Sequence, residues 1–87
     1  MHEASLMNDL MEKIARIARQ EAVARVTGVD VWLGALSHMS ADHFRQHFEE
    51  SCKGSIAEGA DLHIEVSTDI NHPDAQAIAL KSIEADD

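Results

Sequence analysis

The sequence has one cysteine, Cys52, one proline, Pro73, no tyrosine, and only three aromatic residues among its 87. One cysteine cannot close an internal disulfide, nor supply the thiolates of a structural zinc site. With Trp32, Phe44 and Phe48 as the whole aromatic inventory, aliphatic side chains have to fill the core. Positive charge is scarce too: seven Lys and Arg against sixteen Asp and Glu leave a formal net charge of −9. Nucleic acid and anionic lipid both select basic surfaces, so neither suits this chain, whereas a cation or a basic protein patch does. No apolar run approaches the roughly eighteen residues of a membrane span, and the N-terminus lacks a signal peptide's basic-then-apolar layout. A soluble, cytoplasmic chain is expected. No serine or cysteine comes with an ordered His and acid, and no glycine-rich phosphate loop or paired-acid cluster is visible. The chain does not read as an enzyme.

A chain of 87 residues makes one domain, which at this size buries roughly 60–65% of its unfolded surface. Leu6, Met7, Leu10, Met11, Ile14, Ile17 and Ala18 recur at helical spacing. They predict a helix from Ser5, as cap, to about Ala22, with Lys13, Arg16 and Arg19 on a cationic edge. Residues 25–36 alternate as a strand, with Val29, Val31, Leu33 and Ala35 on one side and Asp30 and Trp32 on the other. Gly28 marks a possible bulge. Ser40 caps a second helix, Ala41 to Cys52, that buries Phe44 and Phe48 and ends at Gly54. Strands follow at Leu62–Val66 and Ala77–Ile83, leaving an acidic tail at residues 84–87. The expected fold is α/β (α+β): two helices on one face of a three-stranded sheet, in the order α-β-α-β-β. The eight-residue loop 68–75 is short for a crossover, so it is expected to join the last two strands as a mobile hairpin connection.

The densest metal chemistry lies at the very start, Met1-His2-Glu3. Met1 is expected to keep its α-amine, because a residue as large as His follows it. The amine and the His2 backbone nitrogen close a five-membered ring on a metal. That nitrogen and the His2 Nδ1 close a six-membered one. A deprotonated amide is a strong in-plane donor, so the set favours square-planar Ni(II) or Cu(II) over tetrahedral Zn(II). Binding releases protons and weakens as pH falls. The competing reading is a start residue followed by two exposed polar side chains. His43 and His47, four apart on a helix, have metal-ligand spacing but read more simply as exposed and border residues. His38 reads as an exposed turn residue, His63 as facing away from the helices, and Cys52 as a small core residue.

The residues then match a family. Met1-His2-Glu3-Ala4-Ser5-Leu6-Met7 resembles the opening of the HypA/HybF hydrogenase nickel-incorporation proteins. So do Arg25-Val26-Thr27 leading into Leu33-Gly34-Ala35-Leu36-Ser37, the pair Phe44 and Phe48 with Glu49, Ala57-Glu58-Gly59-Ala60 with Leu62-His63-Ile64-Glu65, and Lys81-Ser82-Ile83-Glu84. The resemblance implies a nickel metallochaperone for [NiFe]-hydrogenase, with a HypB-type GTPase and the hydrogenase large subunit as partners. It places nickel on Met1 and His2, with the backbone of Glu3, or a His from a separate zinc-binding module, completing the site.

The family inserts a zinc ribbon with two Cys-x-x-Cys pairs between its second and third strands. Here that position holds only residues 68–75, so no structural zinc is expected. A fourth nickel donor from the ribbon is then missing, and His72 is a possible substitute. Two functions stay open: a nickel-binding maturation factor acting through Met1 and His2, or an accessory interaction module that has lost metal delivery. The latter would dock through the first helix or the Trp32 face.

Overall fold

The computed structural model describes residues 3–86. Its elements run α1 (Glu3–Gln20), β1 (Arg25–Leu33), α2 (Ala41–Cys52), β2 (Asp61–Val66) and β3 (Ile78–Asp86). The predicted element order holds, as do both ends of α2. The Ser40 side chain accepts from the His43 amide at 3.2 Å, and Gly54 follows the helix at φ +76°, a left-handed conformation that costs glycine nothing. The start of α1 differs: Ser5 lies inside the helix, not at its cap. The end of α1 is closed by backbone alone. Val23 donates to the Ala18 carbonyl at 3.1 Å and Ala22 to Arg19 at 3.2 Å, with Ala22 at φ 53°. This is the Schellman pattern, here without its usual glycine.

The strand order is β2-β1-β3. β1 pairs parallel with β2, through the α2 crossover, and antiparallel with β3. The hairpin expectation is therefore wrong, because β2 and β3 are the two edges of the sheet and do not touch. The shortness of the loop decides only against a crossover to a parallel neighbour. A chain that returns at the same end of the sheet needs to clear only two strand spacings, about 10 Å. Residues 67–77 do so across the end of β1. Ser67 donates to the Leu33 carbonyl, Gly34 to Ala77 and Leu36 to Ala75, at 2.9, 2.9 and 2.7 Å. These bonds end β1 at Leu33, short of the predicted Leu36. Gly34 is required here, since an added Cβ would run into the Ala75 carbonyl.

β3 also runs further than the sequence suggested. Glu84, Ala85 and Asp86 pair with Gly28, Val26 and Arg25, where a free acidic tail was expected. The register slips between Val26 and Gly28, the bulge anticipated there, and again between Asp30 and Val31.

Both helices cover the same face of the sheet. Met7, Leu10, Ile14 and Ala18 of α1 and Phe44, Phe48 and Cys52 of α2 form one buried cluster with Val26, Val29, Val31, Leu33 and Leu62. Phe44 and Phe48 are stacked with ring centroids 6.1 Å apart. Each fully buried side chain of this size contributes about 1.5–3 kcal/mol, so this face carries most of the stability. α2 also tends the β2 edge, where the Arg45 guanidinium donates to the Leu62 carbonyl at 3.2 Å.

Candidate metal centre

Met1 and His2, the core of the expected chelate, lie outside the described residues, and Glu3 begins α1. What the fold settles is the neighbourhood of that helix end. Leu6, in the first turns of α1, lines a groove with Leu36, Ile70, His72 and Pro73. The loop that replaces the expected ribbon therefore lies beside the N-terminal end of α1, and it brings His72 with it. His72 is exposed and its ring packs on Trp32, with centroids 4.9 Å apart. Its Nδ1 accepts from the Asp74 amide at 2.9 Å. That bond leaves Nε2 as the nitrogen able to reach a ligand. The same contact explains Trp32, which stands on the face away from the helices and is half covered by the His72 ring.

His43 and His47 are exposed on α2 with ring centroids 4.6 Å apart. His38 is exposed before α2, at φ 60°. Cys52 is buried, as expected, and its thiol is pushed up to about 11, first by burial and then by the Glu49 carboxylate, with Ser55 opposing. A buried, protonated thiol is a poor metal ligand.

His63 faces away from the helices, also as expected, but it has company there. Asp30, His63 and Glu84 each place a ligand atom within 4.8 Å of the other two. Around them Ser82 Oγ donates to Asp30 Oδ2 at 2.6 Å, and Lys81 Nζ meets Glu65 Oε1 at 2.8 Å. Sequence reading missed this group because its members are 33 and 21 positions apart, and only the strand order makes them neighbours. No helix among the described residues is long and apolar enough to cross a membrane.

A family model described as hydrogenase/urease nickel incorporation, metallochaperone, HypA, matches residues 1–71. The chain belongs to the HypA family. Curated relatives agree. The hydrogenase maturation factor HybF of Salmonella typhimurium is 45% identical over 65 residues, which is 75% of this chain and 58% of that protein. HybF of Escherichia coli is 47% identical over 64 residues, covering 74% and 57%, and HypA of Klebsiella pneumoniae is 42% identical over 64 residues, covering 74% and 56%. The chain thus spans a little over half the length of these relatives. The solution structure of the nickel metallochaperone HypA from Helicobacter pylori superposes with a TM-score of 0.82 over 99% of this chain and 98% of that one, at 20% identity. At that identity the likeness shows the fold. HypA-family proteins are metallochaperones or maturation factors and not catalysts, and nickel is their family-level cargo. The fit to the family includes the first three residues, since the matched range begins at Met1.

Proposed function

We propose that this chain carries Ni(II) as cargo for the maturation of a nickel enzyme, most simply a [NiFe]-hydrogenase, in the cytoplasm. The observation that carries the reading is a family match beginning at residue 1 and running through the Met-His-Glu terminus. The donors are the Met1 amine, the ionised His2 amide and the His2 imidazole. The fourth is the Glu3 backbone, His72 Nε2 or water. The groove shared by Leu6 and His72 supports the second of these. A cation at a helix N-terminus opposes the helix dipole by roughly 0.3–1 kcal/mol. Ionising the amide lowers the charge of the complex and offsets much of that cost.

Partners follow from the same reading: a HypB-type GTPase and the hydrogenase large subunit. Lys13, Arg16 and Arg19 are exposed on α1, a basic edge on an otherwise acidic chain, and suit an acidic docking patch. The second reading, an interaction module without metal duty, draws on residues 68–75 standing where the family inserts its zinc ribbon. A calorimetric titration separates the two. Untagged protein is expected to bind one Ni(II) per chain, and His2→Ala to lose that binding. Equal affinity in the His2→Ala protein would move the nickel site away from the terminus, and wild-type protein that takes up no Ni(II) would move the function to the interaction module.

A further inference from the structure

We infer a second metal site on the open face of the sheet: Asp30, His63 and Glu84 form a three-ligand site for a divalent ion of the Zn(II) class. Each strand contributes one ligand. Asp30 and His63 are direct partners across the parallel pair. Glu84 lies opposite Gly28, two positions before Asp30, and its carboxylate occupies the space a side chain at Gly28 would fill. A Cβ there would sit 2.8 Å from Glu84 Oε1. The absent side chain is a cradle that holds the Glu84 carboxylate beside Asp30. The Ser82 hydroxyl, 2.6 Å from Asp30 Oδ2, fixes that carboxylate and leaves Oδ1 to a metal, the orienting contact expected around a ligating group.

The chemistry of the set differs from that of the chain terminus. One imidazole and two carboxylates on three strands approach from one side. They offer no amide donor and no plane, so they favour a tetrahedral or octahedral ion with water in the open positions over planar nickel. Ligand atoms within 4.8 Å of one another must close to about 3.3 Å around a tetrahedral ion with bonds of about 2.0 Å. His63 and Glu84 are exposed and can rotate to do so. Two carboxylates this close repel each other, and a cation relieves that repulsion. Lys81 is the nearby opposing charge, and it is held by Glu65 at 2.8 Å.

The test uses the full chain carrying His2→Ala, so its outcome is independent of nickel binding at the terminus. Co(II), a spectroscopic stand-in for Zn(II), is titrated while visible absorption is followed, and Zn(II) is then added. One Co(II) per chain, displaced by Zn(II), is expected. His63→Ala and Glu84→Gln should each weaken it at least about tenfold. Gly28→Ala should weaken it as well, by pushing Glu84 aside, while a His43→Ala, His47→Ala double variant should not. A folded His2→Ala protein that takes up no Co(II), or a His63→Ala protein that titrates like its parent, overturns the site.

Discussion

The two faces of the sheet are built from alternate residues of the same strands, yet they do different work. The helix-covered face is Val29, Val31, Leu33 and Leu62 against Ile14, Phe44 and Phe48, and buries no polar or charged residue among those described. The open face is Asp30, Trp32, His63, Glu65, Lys81, Ser82 and Glu84, every one of them exposed or half-buried. Period-two geometry sends neighbours to opposite faces, so a nine-residue strand such as β1 serves both roles. Stability resides on one side and chemistry is free to vary on the other.

The largest effect is expected on the covered face. Phe44→Ala should cost about 3–5 kcal/mol, read as a lowered midpoint in denaturant. A loss below that range would mean that the α2 face can collapse around the gap. Next comes the loop that straddles the sheet end. Gly34→Ala should destabilise by about 1–3 kcal/mol through overpacking, because its Cβ meets the Ala75 carbonyl. A hairpin connection would leave that variant neutral, so the substitution sharpens the corrected strand order.

Smaller is the pH dependence from Cys52. Its thiol is raised from 9.0 to about 11 in the fold, chiefly by burial. The unfolded chain therefore releases the proton first. The stabilisation is complete below pH 9 and falls as pH rises from 9.0 to about 11, by about 1–2 kcal/mol once solvent screening is allowed for. Cys52→Ala should flatten that slope. At the bottom stands the open-face ion pair. Glu65→Gln removes the partner of Lys81, whose ammonium is held protonated by its hydrogen bond to Glu65 and then by that carboxylate's charge. Both are exposed, so the unfolding midpoint should not move. A clear drop would mean that the open face carries stability after all.

The covered face was legible in the sequence because one signal, apolar spacing, dictates it. The α2 span from Ser40 to Gly54 and the alternation through Leu33 were readable from cap, glycine and period. What escaped reading needed long-range pairing. Ser5 has cap chemistry but lies within a helix that begins at Glu3. Glu84–Asp86 look like a frayed acidic tail until β1 pairs with them. The strand order depends on which edge β3 reaches, and a loop's length constrains only how far it can go. The Asp30, His63 and Glu84 grouping follows from that order, so no local pattern announces it. The proposed terminal chelate is the opposite case, since two adjacent residues, Met1 and His2, contain both its rings.

The proposed nickel site is the chain's own terminus. Acetylating the Met1 amine of untagged protein removes one of the proposed donors. Ni(II) should give the visible spectrum of a low-spin planar complex with the free amine, at one ion per chain, and lose that spectrum after acetylation. An acetylated protein that binds nickel as tightly, with the same planar spectrum, would place the nickel elsewhere.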